Sequence, residues 1–504
     1  MRVGKWFKWH LLIMVALLTS PVDGFAFALL GPYANWMDVQ MGYQLEGDIG
    51  GPINIGEGYR WNMPVVTYGF DRSFLDYFGS NGVAAVERAI GILNALPPAS
   101  SIVLTNYPQS VWSVNNTAAA LNLLDLKSVT LSFLLEQMGL ADPVRYAFCI
   151  RDFQPDATGT NYYFDVIQRN FDPVSARPSS YVNGEPYSYY IRVFALSPPP
   201  ADIFCEAVSI SVDVPRNNPS FLPAATTPSV PGVFSSGLSQ DDAGGVRYLL
   251  SGNQVRCESL LPDVHLAATD GGSLVRTADR PGVEKVTFVR HPFGTLNGEF
   301  KPFTNRWTDI YYDWDEPVYQ EVERVTTGPD ILFTGRDLGA GLAITRTGTT
   351  NWANNAALNG NNGGAGPGVI RPPVILTYNT AGPFFVNTFD PGSGTYLLDL
   401  RNAIDGFRWS SFDGSTNAPF LYPDAPIIFQ PTQVRLHFTT AGVTKELRWS
   451  LAGAAYGCFL LQTATNLMDW ATLTTLTNSG ALFDYQFQAV TDESIRFFRA
   501  TQQP

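Results

Sequence analysis

The sequence predicts a multi-domain, predominantly β protein with an α+β N-terminal unit, a β-rich central unit and a C-terminal β-sandwich. Three observations lead there. The 504 residues exceed what one core of about 100–200 residues organises. Short β-branched and aromatic runs, punctuated by 45 glycines and 36 prolines, recur along most of the chain. Apolar spacing of the helical kind marks two stretches, both in the first third. Charged residues are only 15%, against 45% hydrophobic and 13% aromatic, a mixture that buries enough apolar surface to fold.

The elements follow in chain order. Arg2, Lys5 and Lys8 precede an apolar run over 11–18, and Ala26-Phe27-Ala28 gives the small-x-small pattern of a cleavage site. Residues 1–28 are therefore expected to be a secretory signal peptide cut near Ala28. Pro21, Asp23 and Gly24 interrupt it, whereas a membrane span needs about 20 apolar residues. No later stretch reaches that length, so the mature chain is expected to carry no transmembrane segment.

The α+β unit is expected over 29–197. A strand over 61–70 leads to a helix with Ser80 as N-cap, carrying Val83, Val86, Ile90 and Leu93 before Pro97-Pro98. A second helix is expected over 126–138, where Leu131, Leu134, Leu135 and Met138 share a face and Gly139 ends it. Strands follow over 146–151, 162–168 and 187–196, with Asn183-Gly184 as a turn. Residues 198–232 hold prolines 198, 199, 200, 215, 219, 223, 228 and 231 and read as partly linker, with one strand over 207–214. The β-rich unit, 233–440, has short strands such as 286–290 and 318–325 and a long loop over 351–368. The last unit, 441–504, has strands over 446–451, 458–463, 471–477 and 495–500, a size and spacing that suit a small β-sandwich.

Within that last stretch stand Leu461-Gln462-Thr463-Ala464-Thr465-Asn466-Leu467-Met468-Asp469-Trp470 and then Phe497-Phe498-Arg499-Ala500. They resemble a recurrent C-terminal module of exported bacterial proteins. The resemblance implies a β-sandwich and an exported context, and brings no catalytic residues. Trp470 is expected in its core. The region from Tyr59 through Ser411 is similar to uncharacterised exported proteins that end in this module.

A net charge of −13 repels a phosphate backbone, and no basic run reverses it locally, so nucleic acid is excluded as a partner. Cys149, Cys205, Cys257 and Cys458 form no CxxC pair, which removes support for structural zinc or redox motifs. In an exported chain they permit one or two disulfides, with three full connectivities open.

Gly47-Asp48-Ile49-Gly50-Gly51-Pro52 resembles the nucleophile loop of trypsin-like serine proteases, but Ile49 stands where the serine should, and without a hydroxyl there is no nucleophile. The strand over 65–70 and the helix after it are similar to the opening of a matrixin-type zincin. Laying the zinc motif on the second helix matches Gly139, but puts the metal positions on Ser132, Glu136 and Asp142 and the base on Phe133. That is a poor zinc set. His265, His291 and His437 are isolated in sequence.

Asp313, Asp315 and Glu316, flanked by Tyr311, Tyr312 and Trp314, are the candidate site residues. If Asp313 and Asp315 alternate along one strand they share a face, as calcium ligands or as the acidic, aromatic floor of a glycan groove. A solvated strand edge is the simpler account. Asp241-Asp242-Ala243-Gly244-Gly245 reads as an acidic loop. No phosphate loop, dinucleotide glycine pattern, Gly-x-Ser-x-Gly or His-Glu-x-x-His occurs.

No catalytic or cofactor-binding residue emerges, and calcium is the one cofactor the sequence permits. The sum predicts a secreted, extracellular or envelope-located structural or binding component, with self-association or a cell-surface or glycan partner. A hydrolase, either a diverged zincin-like peptidase or a carbohydrate-active enzyme, is the alternative.

Overall fold

The computed structural model describes residues 24–502 apart from 45–47, 49, 58–59, 62, 159–160, 196–202, 213–223, 226–229, 268–271, 295–298, 336–337, 339–351, 355–367, 371–373, 379–386, 391–394, 399–407, 423–432, 442–443, 453–457, 465–468, 478–482 and 489–496. The chain is predominantly β, as expected, and forms two compact units. One comprises residues 1–71 and 82–422, the other 72–81 and 423–504.

In the first unit, the apolar run Val65–Phe70 is a strand buried at every position but the first. Such an unbroken run suits a strand covered on both faces. It pairs in parallel with Thr287–Arg290 on one side and Ile331–Thr334 on the other, and Val374–Thr377 adds outside the latter. Asp330 clamps the sheet: its Oδ2 accepts from Thr67 N at 2.8 Å and from Thr67 Oγ1 at 2.9 Å.

The helix after this strand, Arg72–Asn94, starts nine residues earlier than a Ser80 cap implies. It is interrupted at Gly79, where φ is 58°, so the expected start marks a kink. The second helix, Leu126–Met138, has the expected bounds, with Gly139 at φ 106° as its C-cap. It is buried almost all round, the mark of a central helix rather than a surface one. Asp125 caps its start by accepting from Ser128 N at 2.9 Å, and the strand Leu123–Asp125 pairs in parallel with Arg408–Ser411.

These pairings run across the expected division. Apart from 72–81 and 423–440, the ranges 29–197 and 233–440 fall within one compact unit, where strands from each complete the other's sheets; Trp112–Val114 with Val233–Ser235 is a further case. The Pro-rich range also contributes structure: Ile203–Ser211 pairs along its whole length with Glu185–Ala195. Asn183 and Gly184, both at positive φ, turn Tyr181–Val182 into that strand. The acidic stretch read as a loop is instead the helix Gln240–Leu250. Ser239 and Asp242 form a capping box there, and Gly244 and Gly245 let it approach Pro173, Leu140 and Phe27.

The strand Phe27–Gly31 is buried along its length and pairs with Gly51–Pro52, Leu140–Ala141 and Asn170–Phe171. Ahead of it, Ala26 N donates to the buried Asp241 at 2.9 Å. A cut after Ala28 would therefore divide a buried strand. Residues 1–23 of the expected leader lie outside the described residues, as do residues 351 and 355–367 of the expected loop, whose described ends are instead the paired strands Trp352–Asn354 and Gly368–Ile370. No helix among the described residues is long and apolar enough to cross a membrane.

The second unit contains two three-stranded antiparallel sheets. Gln433–Ala441, Thr444–Ala452 and Phe483–Gln488 make one, while Ala471–Thr477, Cys458–Ala464 and Phe497–Gln502 make the other. Two such sheets are what a small β-sandwich needs. Trp470 is half-buried. No disulfide joins the described cysteines: Cys149, Cys205 and Cys257 are free thiols. The first two donate to different carbonyls, Tyr146 O and Gln40 O.

Candidate binding site

A five-stranded sheet of the first unit runs in the order Arg256–Ser259, Thr277–Arg280, Phe303–Asp313, Glu316–Thr326, Val264–Leu266. Its centre is the long hairpin of the third and fourth strands, paired without slip from Phe303↔Thr326 to Asp313↔Glu316. Alternation then gives the hairpin two faces.

The inner face is a compensated charge network. Arg280 Nε and Nη2 grip Asp309 at 2.9 and 3.0 Å, and Gln320 donates to the same carboxylate at 2.7 Å. Arg324 bridges Asp330 and Asp263, each at 2.6 Å. Arg60 donates to Glu258 Oε1 and to Arg280 O, both at 2.9 Å. Burial draws the Arg60 and Glu258 pair toward neutrality, lowering the guanidinium and raising the Glu258 carboxyl to about 7. Glu258 Oε2 and Arg60 Nε and Nη1 make no hydrogen bond. Beside them lies a small pocket lined by Glu258, Arg280, Trp307 and Arg324 among others.

The outer face changes character along its length. Toward the base, Arg306 pairs with Glu323 at 3.0 Å and Thr308 donates to Glu321 at 2.6 Å. Toward the turn come Ile310 opposite Tyr319 and Tyr312 opposite Pro317, with Tyr319 64% exposed. At the end stands Trp314, 95% exposed.

Trp314 and Asp315 are the two turn residues, at φ 48° and 68°. Two positive values mark the I′ hairpin turn, which favours Asn-Gly or Asp-Gly, and a bulky residue there costs about 1–2 kcal/mol. This corrects the alternation argument. The strand ends at Asp313, so Asp315 does not share its face; Asp313 lies opposite Glu316. Among the described residues no group of three or more His, Cys, Asp or Glu side chains could hold a metal ion.

The positions laid out for a zincin fall in a different setting. Phe133 packs toward Tyr378 with ring centroids 5.8 Å apart, and Ser132 is buried. Burial raises the Glu136 carboxyl to about 8, helped by repulsion from Asp142 and Asp48. Arg145 supplies the positive charge, holding Asp48 through two bonds of 2.5 and 2.8 Å. Asp48 belongs to the Gly-rich motif, so the sequence flagged it, but for a different chemistry.

The histidines do not converge. His265 is exposed, and His291 is buried against Phe300 and Phe303; the side chain of His437 lies outside the described residues.

No protein-family model, no curated protein and no solved structure matches the chain.

Proposed function

We propose that this chain is an exported cell-surface or extracellular protein that works by binding, and that it binds through the turn end of the hairpin Phe303–Asp313 and Glu316–Thr326. One observation carries the reading: an indole 95% exposed is held at φ 48°, where the fold gains nothing from it. A costly local conformation that buries no surface points to use outside the fold. Indoles are also strong anchors when a partner covers them. The basic, apolar leader supports export.

The test compares the secreted full chain with Trp314→Ala by sedimentation with purified cell envelope. Retention is expected to fall about tenfold in the variant while the melting temperature stays unchanged. Equal retention sinks the binding site. A chain found only in the cytoplasm with Met1 intact sinks export separately.

A hydrolase is the second reading, favoured by Glu258. Its carboxyl, raised to about 7 beside a small pocket, has the poise of a general acid. Turnover of a polysaccharide or peptide, abolished by Glu258→Gln in a folded variant, would establish it. Turnover unaffected by that change would remove Glu258 from the role.

A further inference from the structure

We infer that the occupant of the hairpin end is a cationic polypeptide segment, whose Lys or Arg side chain lies over Trp314 while Asp313, Asp315 and Glu316 neutralise it. The inference rests on the binding reading above and adds the chemistry of the partner. The turn end presents Trp314, 95% exposed, and the charge beside it in the chain selects what covers it.

At the base of the same hairpin the carboxylates Asp309 and Glu323 have guanidinium partners, Arg280 and Arg306. At the turn end three carboxylates crowd into four positions, and none forms an ion pair or hydrogen bond there. Asp313 and Glu316 lie directly opposite, an arrangement that repels.

A neutral sugar could stack on the indole, but it would desolvate three adjacent carboxylates without balancing them. An anionic partner would be repelled by the turn and by the net charge of −13. A guanidinium or ammonium meets both demands, lying over the ring face and pairing with the acids.

The test titrates the full chain with hexa-arginine peptide and, separately, with neutral chitohexaose, by calorimetry at low and physiological salt. Hexa-arginine is expected to bind about threefold more weakly to Trp314→Ala. It should bind at least tenfold more weakly to the triple variant Asp313→Asn, Asp315→Asn, Glu316→Gln, and unchanged to Val174→Ala, at an exposed position elsewhere. Changing the three acids to lysine should transfer the preference to hexa-glutamate; because this asks for a gain of binding, a misfolded variant cannot imitate it.

If hexa-arginine affinity is indifferent to Trp314 while chitohexaose affinity depends on it, the hairpin end remains the binding site and the cationic occupant is wrong. If neither affinity depends on Trp314, the binding reading fails as well.

Discussion

At the scale of single residues, two positions separate what the fold needs from what it tolerates. Trp314 and Asp315 occupy a turn that prefers Asn and Gly. Replacing Trp314 with Asn and Asp315 with Gly should therefore stabilise the chain by about 1 kcal/mol while weakening partner binding. Chemical unfolding and the calorimetric titration read the two effects independently, and a loss of stability would show that the indole serves the fold after all. The sequence displayed this cluster of acids and aromatics, but not its shape. Trp-Asp is no I′ signal, so the run read as a strand continuing through residue 315. Glu136 makes the second case. Its carboxyl, ordinarily near 4.5, is raised to about 8 by burial and by two neighbouring acids. A raised carboxyl favours the folded state in full below pH 4.5, and that contribution is lost as pH rises through 8. Glu136→Gln should match the parent at pH 4 and exceed it by roughly 1–3 kcal/mol at pH 9. Urea unfolding at both pH values measures the difference; equal gains at both would remove the titration argument.

At the scale of elements, the helix Gln240–Leu250 shows how a local signal was overruled by composition. Ser239 followed three residues later by Asp242 is a capping box in sequence, but adjacent glycines are poor helix formers, and the stretch read as a loop. The glycines have a packing reason. A Cβ on Gly245 would lie 2.4 Å from Leu140 Cδ2 and 3.2 Å from Phe27 Cβ. Gly245→Ala would gain about 1 kcal/mol in a free helix, but overpacking costs about 1–3 kcal/mol, so a lower melting temperature is expected. Ser239→Ala should cost about 1–2 kcal/mol through the lost cap. If Gly245→Ala melts higher than the parent, the close approach to Phe27–Gly31 is wrong. That strand also limits where the proposed leader is cut. With Ala26 hydrogen-bonded to Asp241 and the next five residues buried, mass spectrometry of secreted protein should find a mature N-terminus no later than Ala26. The pattern Ala26-Phe27-Ala28 reads as a cleavage signal, and nothing local reveals that it leads into a buried strand. The helix Leu126–Met138 was fully legible, because its spacing, its cap and Gly139 all lie within one short stretch.

At the scale of the whole molecule, what the sequence concealed was partnership. Val65–Phe70 was readable as a strand from its own residues, yet both of its neighbours, Thr287–Arg290 and Ile331–Thr334, come from more than 200 positions away. Parallel strands need long crossovers, and periodicity within a window carries no record of them. The Pro-rich range looked like a boundary because its prolines stiffen the chain locally, while the sheets closing across it are non-local. A fragment of residues 24–232, which a linker reading would deliver as a folded domain, should therefore fail to fold. It keeps Val65–Phe70 without either neighbour, Leu123–Asp125 without Arg408–Ser411, and Trp112–Val114 without Val233–Ser235. It also loses Asp241, so the amide of Ala26 loses its acceptor. Each unpaired strand leaves backbone groups and apolar side chains that only the missing half can cover. The fragment is expected to lack the cooperative circular-dichroism melt of the full chain and to bind a hydrophobic dye. A sharp, reversible melt in the fragment would mean that residues 29–197 hold a core of their own and that the pairing across the Pro-rich range is dispensable.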